Sequence, residues 1–157
     1  MPPPFDAVLE LPFGRFGIRV AREAEAIAAL AFLPPDTPLV APAHPLAALA
    51  GARIAAWLDD PRPGLDLPLL GHGSAFQQCL RAVLRAIAPG QTRTYGEIAR
   101  QLGSSPRAIG QGCACNPFPL VVPCHRVVAT NGIGGFAHAR DGYLIAAKRW
   151  LLAHEAR

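Results

Sequence analysis

The opening third of the chain carries two short apolar runs, FDAVLEL and FGIRV, on either side of PFGR. Two extended segments joined by a turn that holds Pro and Gly predict a β-hairpin. The next run, EAIAALAFL, supports two readings: its alanines favour helix, and its place after a hairpin suits a third strand. HPLAALAGARIAAWL, His44 to Leu58, is apolar at helical spacing. After a stretch rich in Pro and Gly, Asp59 to Gly73, the pattern becomes helical in short pieces. Ser74 with Gln77 forms a capping box that opens a helix through about Ile87, and APGQ ends it. Thr94 with Glu97 opens a second over YGEIARQL, stopped by Gly103. Ser105-Pro106 starts a third, Pro106 to Ala114. The last two make a helix-turn-helix pattern, weak evidence by itself.

Charge divides the chain at the same place. Residues 1–71 hold five arginines against eight acidic residues, a net of −3, whereas residues 72–157 hold ten basic against three acidic, a net of +7. The chain is therefore read as two domains, an α/β unit over 1–71 with its linker and a basic unit over 72–157. Such a concentration of positive charge suits a polyanion such as DNA. An arginine-rich solvated surface is the bland alternative.

No apolar run approaches the ~20 residues of a membrane span, and MPPPFD lacks the features of a signal peptide. A soluble, cytoplasmic protein is expected. The four cysteines, Cys79, Cys113, Cys115 and Cys124, all lie in the second half and are read as reduced thiols rather than a disulfide framework. Their spacing offers no zinc pattern, so no metal and no cofactor are expected.

Two features carry chemistry. The helix beginning at Pro106 reads RAIGQGCAC, and places Ala108, Gly110, Gly112 and Ala114 where a base-reading helix would carry long polar side chains. Glycine costs ~1 kcal/mol in a helix interior, so something must come close: either a DNA groove or another helix. Arg107 is the long exception, suited to insertion into a base stack from the minor groove. The second feature is NPFPLVVPCHRVV, where Cys124 sits between Pro123 and His125 with Arg126 beyond. A thiolate is a strong nucleophile, and a neighbouring imidazole can set its protonation.

TYGEIA, RAIG, NPFPLVVPCHRVV, GIGGF and KRWLLAHE occur in the order found in O6-alkylguanine-DNA alkyltransferases, and residues 72–157 resemble that family nearly throughout. Over residues 1–71 the likeness is one of length and layout. The resemblance implies an N-terminal α/β domain of ribonuclease-H-like fold and a mostly α, winged-helix-like helix-turn-helix domain after it. It implies irreversible transfer of an alkyl group from O6-alkylguanine in double-stranded DNA to Cys124, once per molecule, by a monomer. Acceptance of O4-alkylthymine is left open by the sequence. His125 and Glu155 would form a relay to the thiol through a water. Tyr95 would hydrogen-bond the guanine as charge builds on it, and Asn116 would tie the active-site turn. Arg107 would fill the gap left by the flipped base, with Ala108, Gly110, Gly112, Ala114 and Arg126 also on the DNA side. Val127 would offer its carbonyl to the guanine amino group, and Gly134, Gly135 and Phe136 would close over the base.

The chain departs from the family pattern in a tighter turn before RAIG and in a longer loop, AHARDGY, that leaves the roles of Ala137 and His138 open. Arg81 also stands where many members carry tryptophan. Three rivals are weighed against the family reading. A lesion-binding relative without chemistry would replace Cys124 by tryptophan, and a helix-turn-helix regulator would need base-reading side chains. A Cys-His hydrolase would need oxyanion donors.

Overall fold

The computed structural model describes residues 4–71, 73–136 and 139–156, which gather into two compact units, Met1–Gly71 and His72–Arg157. In the first, strands β1 (Ala7–Leu11), β2 (Gly14–Ala21) and β3 (Ala26–Leu33) form an antiparallel sheet in that order. The PFGR hairpin is present, with Leu11 opposite Gly14, whose φ of 128° suits glycine. The ambiguous alanine-rich run is β3: pairing along β2, from Arg15 opposite Leu33 to Ala21 opposite Ala26, overrides its helix propensity. Helix α1 (Pro45–Asp59) starts on a cap in which the Leu46 amide donates to His44 Nδ1 at 3.0 Å. It buries Ala47, Ala50, Ile54 and Trp57 along one side, and the sheet contributes Phe16, Ile18, Ile27 and Leu30 to the same core.

In the second unit, α2 (Ala75–Arg85), α3 (Tyr95–Leu102) and α4 (Pro106–Ala114) precede a long loop, and α5 (Gly142–Glu155) closes the chain. Both capping boxes, Ser74 with Gln77 and Thr94 with Glu97, are formed. Helix α2 ends at Arg85, short of the expected Ile87, because the Ala86 and Ile87 amides turn back to Val83 and Leu84 in a tightened last turn. A left-handed Gly103 ends α3, and only residues 103–105 separate it from α4. Strands β4 (Arg93–Thr94) and β5 (Val127–Val128) form a parallel ladder, which fixes Tyr95 at the start of α3 relative to the Cys124–Arg126 3-10 turn. Among the described residues, no helix is long and apolar enough to cross a membrane.

The two glycines of α4 have different surroundings. A Cβ on Gly112 would lie 2.4 Å from Leu80 Cδ2 of α2, and Leu80 is itself buried. A Cβ on Gly110 would meet nothing within 4 Å. Gly112 is thus a helix-packing residue, which corrects its expected place on a DNA-facing surface. We expect Gly110→Ala to stabilise the fold by up to ~1 kcal/mol through helix propensity. Gly112→Ala should destabilise it by about 1 kcal/mol, because overpacking at 1–3 kcal/mol outweighs that gain. Urea midpoints moving in the same direction for both variants would contradict this contrast.

Candidate active site

Cys124 is delivered by a loop with apolar anchors: Phe118, Leu120, Val121 and Val122 are all buried. Leu120 adopts a φ of 75°, a left-handed conformation that costs a bulky residue about 1 kcal/mol or more and is held here by burial of its side chain. Asn116 ties this loop together. Its Oδ1 accepts from the Phe118 amide at 3.0 Å, and its Nδ2 donates to the Val122 carbonyl at 2.9 Å and to Cys124 Sγ at 3.3 Å. Cys124 is 5% exposed, and its sulfur reaches a cavity of about 440 Å³.

The cavity wall comes from three places. Tyr95 contributes from α3; Arg107, Gly110, Gln111, Cys113 and Ala114 from α4; and Gly135, Phe136, Ala139 and Arg140 from the segment before α5. Arg107, Gly110, Gln111 and Ala114 follow an i, i+3, i+4, i+7 spacing, one face of a helix. Ala108 and Gly112 fall off that face. Ala108 is half-buried, its amide donates to the Ser105 cap at 3.1 Å, and it does not line the cavity. Gln111 was reachable from the same spacing, had the helix been read from Arg107 rather than from its small residues.

Behind the thiol lies a buried ionic group. His125 Nε2 is 2.7 Å from Glu155 Oε1, and both side chains are 1% exposed. Arg126 Nε donates to both Glu155 oxygens at 3.1 Å, its Nη2 also bonds Oε2, and its Nη1 donates to the Ile87 carbonyl at 2.6 Å. Arg126 therefore points into the protein and neutralises Glu155, which corrects its expected place on the DNA side. Burial opposes the Glu155 charge, yet hydrogen bonds and charge from His125 and Arg126 outweigh it and hold the carboxyl at about 2. Burial pushes His125 the other way, below its ordinary value, despite the carboxylate beside it. The resting pair is thus a neutral imidazole donating Nε2–H to a carboxylate. His125 Nδ1, fully buried, has no hydrogen-bond partner.

Lys148, on α5 two turns before Glu155, is fully buried. Its ammonium donates to the carbonyls of Val127 at 2.8 Å and Gly135 at 2.9 Å. Burial lowers it, charge on Cys124 and Cys113 offsets part of that, and the ammonium is held at about 8. The Cys124 thiol is pushed up by burial and drawn back by the Asn116 hydrogen bond and the Lys148 charge. Sequence reading did not single out Lys148; the signal was a cation at i−7 from Glu155 on the apolar stripe Ile145, Leu151 of α5.

Tyr95 donates its hydroxyl to the Gly135 carbonyl at 3.3 Å, and burial first, then the two thiols, raise it to about 12, so it stays a donor at neutral pH. Gly134 does not line the cavity, but at φ 72° its Cβ position is 3.1 Å from the Tyr95 ring, so it lets the tyrosine sit close. Val127 is buried off the cavity, with one lone pair of its carbonyl engaged by Lys148. Ala137 and His138 lie outside the described residues. All four cysteines are free thiols.

A sequence profile described as "6-O-methylguanine DNA methyltransferase, DNA binding domain" matches residues 75–157. The chain belongs to this family. It is 44% identical over 80 residues to a methylated-DNA–protein-cysteine methyltransferase of Methanocaldococcus jannaschii, covering 51% of this chain and 45% of that protein. It is 41% identical over 92 residues to one of Shigella flexneri, covering 57% and 51%. The matched region spans about half the length of these relatives. The crystal structure of the Mycobacterium tuberculosis O6-methylguanine methyltransferase superposes with a TM-score of 0.78 at 28% identity, covering 95% of this chain and 90% of that one. The structure of Mycobacterium tuberculosis OGT in complex with DNA gives 0.77 at 29%, covering 95% and 91%. The small sheet unit followed by a helical unit is the fold of this family.

Proposed function

We propose that the chain repairs DNA by transferring an alkyl group from O6-alkylguanine to Cys124, irreversibly and once per molecule. The observation that carries this reading is a nucleophilic sulfur at a cavity, backed by a buried His125–Glu155 pair whose second imidazole nitrogen is unpartnered. The Cys124 proton passes through a bridging water to His125 Nδ1, and Glu155 stabilises the imidazolium that forms. The sulfur attacks the alkyl carbon on O6; the S–C bond forms as the C–O6 bond breaks. Guanine leaves as its anion while the Tyr95 hydroxyl donates to it, and the anion takes up a proton from solvent. Lys148 supplies a fixed positive charge that favours the attacking thiolate.

The resemblance to a relative solved in complex with DNA supports DNA as the partner, and we take the protein to be a cytoplasmic monomer acting on double-stranded DNA. On the same ground, the first unit takes the ribonuclease-H-like description and the second the winged-helix one. Every catalytic group named above lies in the second unit, and we read 72–157 as the alkyl-acceptor domain on that ground. Intact-protein mass spectrometry after incubation with a duplex containing O6-methylguanine tests the reading. One added methylene on Cys124 is expected, and an unmodified mass would count against it.

Arg107 is exposed at the edge of the cavity on the first turn of α4. It fills the space left by the extruded base, and unstacking costs a few kcal/mol, so a contribution of about 2 kcal/mol is expected. Arg107→Ala should then lose about 30-fold more in single-turnover rate on duplex than on free O6-benzylguanine. Equal fractional losses would indicate a damaged cavity, and full rescue by saturating protein would indicate a phosphate contact.

A further inference from the structure

The cavity has a second guanidinium that this mechanism leaves unused. Arg140 lines it together with Tyr95, Arg107 and Cys124, and is exposed. It comes from the segment before α5, whereas Arg107 comes from α4. Its backbone is anchored on both sides. Before it, Phe136 and Ala139 exchange both amide hydrogen bonds, at 2.9 and 2.8 Å, and the Ala139 carbonyl lies 2.9 Å from where a Gly135 Cβ would be. After it, α5 begins at Gly142. Among the described residues, no Asp or Glu lines the cavity with it. The nearest carboxylate of the catalytic group, Glu155, is taken by His125 and Arg126. Among the described lining residues the rim thus offers two guanidinium groups and no carboxylate, with Asp141 the next residue along the chain, at the α5 N-cap.

We propose that Arg140 binds a backbone phosphate flanking the nucleotide that enters the cavity. The inference rests on the alkyl-transfer reading above. A nucleotide rotated out of a duplex remains tied to its strand on both sides, so its flanking phosphodiesters must pass the rim while the base is inside. A guanidinium there meets them with a planar fork of donors suited to two phosphate oxygens. With Arg107 occupying the stack and Arg140 holding the backbone, the extruded state is clasped from two sides by groups with different tasks. The same oxyanion chemistry has a second source, a carboxylate on the adduct itself. A lesion bearing a neutral methyl group separates the two.

The experiment measures single-turnover transfer by the full chain and by Arg140→Ala, on an O6-methylguanine duplex across a salt series and on free O6-benzylguanine. At low salt the variant is expected to lose about tenfold more on the duplex than on the free base. Its log rate against log salt on the duplex should be shallower by about one contact. Arg140→Lys, which keeps the charge and loses the fork, should restore most of the salt slope. A wild-type slope in the alanine variant, or equal losses on duplex and free base, overturns the proposal. So does a defect seen with O6-carboxymethylguanine and absent with O6-methylguanine, which would assign Arg140 to the adduct. If the wild-type protein itself takes no methyl from the duplex, the alkyl-transfer reading fails. The phosphate contact then remains measurable in the salt slope of binding to the same duplex.

Discussion

Cys124→Ala is expected to abolish alkyl transfer completely while leaving affinity for alkylated duplex within about threefold, or ~0.7 kcal/mol. The other thiol of the cavity is poorly placed to take over: burial pushes Cys113 well above the ordinary range. Asn116 Nδ2, which bonds the sulfur, retains the Val122 carbonyl, so the loop should keep its shape at a stability cost of about 1 kcal/mol. Mass spectrometry should show no increment on the variant, and a gel-shift titration should show retained binding. Clearance of the lesion by the alanine protein in a single-turnover assay would remove Cys124 from the reaction.

Glu155→Gln should slow transfer by about 10²-fold, the lower end of what positioned proton transfer contributes. The amide still accepts from His125 Nε2–H but stabilises imidazolium poorly, so thiol ionisation is delayed and the rate profile moves alkaline. A rate unchanged from pH 6 to 9 would take Glu155 out of the relay. The structure adds a second effect. Arg126 loses its carboxylate in a buried site, which costs about 3–5 kcal/mol. The acid dependence provides the check. Glu155 sits at about 2 when folded, against roughly 4.3 when unfolded. Its stabilisation, about 3 kcal/mol on that difference, is therefore present above pH ~4.3 and is lost as pH falls toward 2. Urea midpoints of wild type and variant should differ widely at pH 7 and converge as pH approaches 2. A constant gap would mean that the carboxylate charge is not what Arg126 requires.

Local chemistry made much of this fold readable. The two capping boxes, the left-handed Gly103, the Ser105-Pro106 start of α4 and the PFGR hairpin each depend on residues within a few positions of one another. Where the reading fell short, direction was at issue. Arg126 and Glu155 are 29 residues apart, and nothing beside Arg126 in the chain shows that its guanidinium turns inward. Gly112 needed α2 at its flank to distinguish a packing contact from a groove contact. Lys148 occupies an apolar stripe, and only the Val127 and Gly135 carbonyls explain why a cation can sit there. The alanine-rich β3 was undecidable locally because its partner strand, not its composition, determines its state.

The surface α4 presents, Arg107 followed by Gly110, Gln111 and Ala114, has few groups able to tell one base pair from another. A searching molecule with such a surface gains little information from letters. If the chain searches DNA and Arg107 intrudes as proposed above, what it can register is compliance: a weakened pair opens under the arginine and a sound one springs back. On this account the protein works as a hardness gauge moved along the double helix, and its error rate is governed by how soft undamaged steps are. Thermally loose stretches of intact DNA would then be where it lingers without result.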